Sequence, residues 1–197
     1  MSDAPRPAGL GRRAAMAALL ANRKDDLLVV PGLGSTCWDL AAAGDNDRNF
    51  YLWGAMGGAA MIGLGLALAQ PDKRVLVVTG DGEMLMGMGA LATIGIKQPP
   101  NLAIVVFDNG HYGETGMQPS HTHNGGVDLL GVARSCGIAT CLDVADEVAL
   151  ADLAARLTRL NGTLFARVAI AAADPPRVLP ERDGAVLKAR FRAAIGV

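Results

Sequence analysis

Along the chain, short apolar runs with abrupt polar ends alternate with longer stretches of mixed polarity. RVLVVTG (74–80) is β-branched and uninterrupted, the pattern of a strand buried on both faces. DLLVVPG (26–32), LAIVVFDNG (102–110), IATCLDV (138–144) and TLFARVAIA (163–171) read as further strands. Between them, Leu10–Arg23 predicts an amphipathic helix, an Ala/Gly-rich run predicts a helix at about 54–70, and Glu83 to about Ile96 predicts another. VDLLGVARSCG (127–137) reads as a helix closed by Gly137. ADEVALADLAARLTRLNG (145–162) carries acids in its first turn and ends at Asn161-Gly162. GSTCWDL (34–40) reads as a turn, and residues 110–126 as a loop rich in Gly and His. Strands and helices alternate about five times, which predicts an α/β fold with a doubly wound, mostly parallel sheet flanked by helices. The expected organisation is an N-terminal helical segment (1–25), one α/β domain (26–172) and a C-terminal arm and helix (173–197).

The totals narrow the function. The chain has 197 residues, a net charge of −1 and only eight aromatic residues, with its basic residues scattered, which argues against a nucleic-acid surface. The cysteines, Cys37, Cys136 and Cys141, are three in number without a CxxC, so a reducing cytoplasm is expected rather than a disulfide framework. LWGAMGGAAMIGLGLALA (52–69) carries no charge, but its Gly and Ala gain little from lipid; a buried central helix is expected, not a membrane span.

The candidate chemistry lies at two strand ends. In open parallel sheets, ligands bind outside the carboxyl ends of the strands. Asp81 follows VLVVTG and Asn109 follows IVVFD, so neighbouring strands would bring a carboxylate and an amide oxygen to one edge. A hard cation such as Mg2+ takes about six oxygens and draws several from phosphate and water, so two protein side chains would suffice beside a diphosphate. Gly80 and Gly82 would let the main chain approach a bulky anion, and the helix opening at Glu83 would offer free amides and the positive end of its dipole. The plainer alternative is that Asp81 caps that helix and Asn109-Gly110 is an ordinary turn.

GDGEMLMGMGALATIGIKQPPNLAIVVFDNG resembles the cofactor motif of thiamine diphosphate-dependent enzymes, with Asp108-Asn109 where the usual pair is two asparagines. LATIGIKQPPNLAIVVFDNGHYGETGMQ is similar to the branch of sulfopyruvate and phosphonopyruvate decarboxylases, and the likeness extends over about residues 26–195. The resemblance implies thiamine diphosphate and Mg2+ as cofactors, with the metal on Asp81, the Asn109 side chain and the His111 main-chain oxygen. Gly82 and Glu83 would meet the diphosphate through their amides, next to Gly80. Gly54 and Met56 of WGAMG would bond the aminopyrimidine, with the Met56 side chain wedged beneath the cofactor. Gly34, Ser35 and Thr36 would form a loop touching phosphate and substrate, and Tyr112 and Gly113, next after the metal motif, would also bind the cofactor.

The family's activating Glu has no counterpart here: Glu83, Glu114, Glu147 and Glu181 all sit at other positions. The expectation is therefore the diphosphate-binding subunit of a two-chain 2-oxo acid decarboxylase that releases CO2 and an aldehyde. A pyrimidine-binding, alpha-type partner would complete a hetero-oligomer. Alternatives are a beta-type subunit of a carboligase or 2-oxo acid oxidoreductase, or a non-catalytic cofactor-binding subunit. Within HYGETGMQPSHTH, Glu114, Gln118 and His121 are candidates for substrate contact or proton relay. A sulfonate or phosphonate substrate would need a cationic anchor, and the sequence offers none near these motifs beyond the three histidines.

Overall fold

The computed structural model describes residues 9–197; residues 1–8, the opening of the predicted N-terminal segment, lie outside the described residues. In chain order the elements are α1 (Arg12–Leu20), β1 (Leu27–Pro31), α2 (Ser35–Ala42), α3 (Ala59–Ala69), β2 (Arg74–Gly80), α4 (Asp81–Met86), α5 (Ala90–Lys97), β3 (Leu102–Asp108), β4 (His111–Tyr112), β5 (Gln118–Pro119), α6 (Leu129–Ser135), β6 (Thr140–Val144), α7 (Glu147–Leu157), β7 (Leu164–Ala169) and α8 (Gly184–Ile195).

The apolar runs form a five-stranded sheet in the order β1-β2-β3-β7-β6, every pairing parallel. Alternate strand residues feed two cores, as a sheet covered on both faces requires. Leu76, Val78, Val105 and Ala166 pack with α1, α2 and α7 on one face. Val75, Val77, Ile104 and Phe165 pack with α3, α5 and α6 on the other. Arg74 ties β2 to β1 through both Asp26 oxygens, at 2.8 and 2.6 Å, and also donates to the Leu157 carbonyl at the end of α7. Along the outer flank of β1, the Val29 amide donates to the Arg48 carbonyl (3.0 Å) and the Val29 carbonyl accepts from the Phe50 amide (2.8 Å).

Four expectations change. GSTCWDL is the helix α2 rather than a turn, because Leu40 and Cys37 pack into the core beneath it. The Ala/Gly helix starts at Ala59, not near 54: Ala55 and Gly57 take positive φ (56° and 93°), which the helix cannot accommodate. The helix expected over 83–96 is two helices, α4 and α5, broken where Gly87 backs onto the Gly57 carbonyl; a Cβ there would lie 2.0 Å from that oxygen. Finally, α3 is not wholly buried: Ala60, Gly63, Leu64 and Ala67 face the sheet, while Met61 and Leu68 are exposed. Among the described residues, no helix is long and apolar enough to cross a membrane.

Candidate functional site

The β2 and β3 ends lie side by side, with Gly80 in register with Phe107, so Asp81 and Asn109 emerge at one edge of the sheet. They open into a cleft enclosing about 690 Å³ of empty space, its mouth included. Ser35, Thr36, Met56, Gly80, Asp81, Gly82, Glu83, Asn109, His111, Tyr112, Gly113 and Glu114 all line it. Of the remaining expected residues, Gly34 abuts Glu114 from the N-cap of α2, where its φ of 81° calls for glycine. Gly54 is exposed, and His121 stands outside the cleft lining beside Tyr112, whose hydroxyl is 3.1 Å from His121 Nδ1.

Asp81 is 2% exposed and does not cap α4; the N-cap position is Gly80, with no side-chain bond. Its Oδ2 instead accepts from the Ser120 hydroxyl, and the Thr122 hydroxyl lies 3.1 Å away. That same Thr122 hydroxyl is 2.7 Å from Asp108 Oδ1, so one proton serves two carboxylates. Burial, and next to it the negative charge of Asp108, push the Asp81 carboxyl above its usual range, while the Ser120 and Thr122 hydroxyls oppose them. The Asp108 carboxylate is in turn offset by Arg167, whose Nε donates to Asp108 Oδ2 at 2.6 Å.

Asn109 Oδ1 accepts from the His111 amide (2.8 Å), and Gly110, at φ 71°, turns the chain into the β4–β5 hairpin over the cleft. That hairpin sets the Tyr112 ring so close to Gly82 that a Cβ there would sit 2.5 Å from ring carbons. Gln118 bonds Thr115 within the hairpin turn rather than facing the cleft.

The Glu83 side chain does what its position in the motif does not announce. It is 3% exposed, and its two oxygens accept from the Leu33 amide (2.9 Å) and the Gly57 amide (3.3 Å), fastening both flanking loops to the start of α4. Burial raises its carboxyl despite those donors. With six residues, α4 contributes free amides at its start but little of the macrodipole expected from a longer helix. Cys37 is core: burial pushes its thiol up to about 12.

Sequence reasoning missed Ser120, Thr122, Arg167 and Arg12. Arg12 lines the cleft beside Asp39, although α1 precedes the motifs by more than a strand and a helix.

The fold and the cleft together define a doubly wound α/β domain with a polar ligand site at the carboxyl ends of its central strands. Residues 34–167 match the family described as thiamine pyrophosphate enzyme, C-terminal TPP binding domain, and the chain belongs to that family. It is 38% identical over 192 residues to phosphonopyruvate decarboxylase of Streptomyces viridochromogenes, covering 93% of this chain and 46% of that one. The chain thus spans about half the length of that relative. Sulfopyruvate decarboxylase subunit beta of Methanococcus maripaludis is 39% identical over 150 residues, covering 76% of this chain and 77% of the relative. An X-ray structure from Mycobacterium smegmatis assigned to thiamin diphosphate-dependent enzymes shares the fold, with a TM-score of 0.69 at 24% identity over 88% of this chain and 34% of that one.

Proposed function

We propose that this chain is the diphosphate-binding subunit of a two-chain, Mg2+-dependent thiamine diphosphate enzyme. In this reading it decarboxylates a 2-oxo acid bearing a sulfonate or phosphonate, releasing CO2 and an aldehyde. The observation that carries the reading is the buried Asp81 carboxylate beside Asn109 at the ends of adjacent parallel strands, in one cleft. The residues fit the cofactor. A Cβ built at Gly80 would meet no atom within 4 Å, so there is open space for an anion beside the main chain. Asp81 and Asn109 are hard oxygen donors that suit Mg2+, with a diphosphate and water able to supply the remaining oxygens.

Asp81, the Asn109 side chain and the His111 carbonyl would hold Mg2+, and the Gly82 and Glu83 amides would meet the diphosphate. When bound, thiamine diphosphate supplies the electron sink that lets a 2-oxo acid lose CO2. Leu33, Met56 and Phe107 give the cleft apolar lining beside its polar groups. Tyr112 and His121, hydrogen-bonded at 3.1 Å, can pass a proton between the cleft and solvent, and Glu114 stands at the rim for a second transfer. Met56, Met61, Leu68, Met86 and Ile96 leave exposed apolar surface that supports a partner chain, which would bring the activating Glu.

Calorimetry of the chain with its partner subunit should give saturable heat with thiamine diphosphate and MgCl2. Asp81→Ala should weaken that binding more than about 100-fold, beyond the loss typical of outer-shell partners. No heat with the partner present, or Asp81→Ala binding as tightly as wild type, overturns the reading.

A further inference from the structure

One cation reaches the cleft from outside the cofactor motifs. Among the described residues, Arg12 is the only Lys or Arg lining it, and Arg12 is 8% exposed. Burying a guanidinium is costly unless it is paired, so its position calls for anionic company. Asp39, 1% exposed, supplies part of it: Arg12 Nε lies 3.0 Å from Asp39 Oδ2, although neither atom completes a hydrogen bond of good geometry. Asp39 is also shared, because its Oδ1 accepts from Arg13 Nε at 3.4 Å. One carboxylate thus faces two guanidiniums, of which only Arg12 lines the cleft, so Asp39 is not given over to Arg12 alone.

The rim adds no net charge. Glu114 is paired with Arg177 of the C-terminal arm at 3.4 Å, and Arg177 stacks over the Trp38 ring at 4.8 Å. The placement of Arg12 is fixed by main chain rather than by a flexible tail. Leu10 donates to the Ala169 carbonyl and accepts from the Ala171 amide, each at 2.9 Å, which lays the start of α1 against the carboxyl end of β7.

We propose that Arg12 is the specificity-determining anchor for the second anionic group, sulfonate or phosphonate, of the 2-oxo acid. This rests on the decarboxylase reading above and adds the residue that would select its substrate class. Asp39 is a positioning residue that holds Arg12 beside the cleft. A tetrahedral oxyanion offers guanidinium N–H groups the paired acceptors they favour, whereas pyruvate, without such a group, gains nothing from Arg12.

The test uses the complex with its partner subunit, loaded with thiamine diphosphate and Mg2+, in wild-type, Arg12→Lys, Arg12→Gln and Arg12→Gln/Asp39→Asn forms. Kinetics with sulfopyruvate, phosphonopyruvate and pyruvate should show Arg12→Gln raising KM for the first two by about 10–100-fold, with pyruvate unchanged. Arg12→Lys should recover part of the loss. The double variant also removes the Asp39 charge, left with Arg13 alone once Arg12 is gone, and guards against misfolding; it should show the same selective loss.

A second arm needs no turnover. Sulfoacetate and phosphonoacetate are titrated against tryptophan fluorescence, which reports Trp38 and Trp53, the only tryptophans of the chain, whose rings are 6.1 Å apart. Wild type should bind both anions and Arg12→Gln should not. Equal anion binding by both proteins, or none by wild type, overturns the proposal. A loss of thiamine diphosphate affinity in Arg12→Gln without discrimination among the acids also overturns it, assigning Arg12 to the cofactor phosphates. If no 2-oxo acid yields aldehyde while sulfoacetate still binds through Arg12, the decarboxylase reading fails and the anion site stands.

Discussion

Thr122 carries two obligations on one hydroxyl, 2.7 Å from Asp108 and 3.1 Å from Asp81. Replacing it by valine keeps the shape and removes the proton that both carboxylates share. Thr122→Val is expected to weaken Mg2+-dependent thiamine diphosphate binding by about 10–100-fold, the usual cost of losing an outer-shell partner. Calorimetric titration beside wild type measures this. Asp81 and Asn109 were legible in the sequence because each immediately follows an apolar run, and a strand's end is a local signal. Ser120 and Thr122 were not, since they meet Asp81 across 39 and 41 residues from within a His-rich loop that carries no periodicity. Arg12 was hidden for the same reason: on its own helix it reads as an ordinary polar position.

Among the elements, α3 shows what its small residues are for. Gly63 faces β2, and a Cβ built there would lie 2.2 Å from the Val77 side chain, inside the fully buried centre of the sheet. Gly63→Val is expected to cost about 1–3 kcal/mol through overpacking, read as a lower urea midpoint with an unchanged slope. The strands and the order of the helices followed from apolar runs and breaks. The breaks themselves were the weak point. In MLMGMGAL the two glycines were the only local hint that helix 83–96 must part, and they became the C-cap of α4 and the N-cap of α5; what makes Gly87 obligatory is the Gly57 carbonyl lying against it from elsewhere in the chain. The residues of α2 read as a turn because Gly, Ser and Thr favour turns, and burial of Leu40 overrides that preference.

Across the whole molecule, parallel strands need ties at their ends, and the Asp26–Arg74 pair is one. Its hydrogen bonds to Arg74 hold the Asp26 carboxyl below its usual range. An acid with a lowered folded value adds stability above its unfolded value, near about 3.9, and loses it as pH falls through the folded value. The wild-type advantage over Asp26→Asn should therefore be steady from neutral pH down to about 4 and shrink below it. Urea midpoints of both proteins across that range decide this. The effect should be modest, because Asp26 is partly exposed and screened by water.

The outer flank of β1 has a bearing on how copies of this protein meet. With the Val29 amide and carbonyl already engaged by Arg48 and Phe50, an incoming strand would find no vacant ladder there. Edge-to-edge growth, by which bare strands seed insoluble fibres, is blocked at that margin. Contact with other chains on that side falls instead to side chains, which can be matched to one companion and mismatched to the rest.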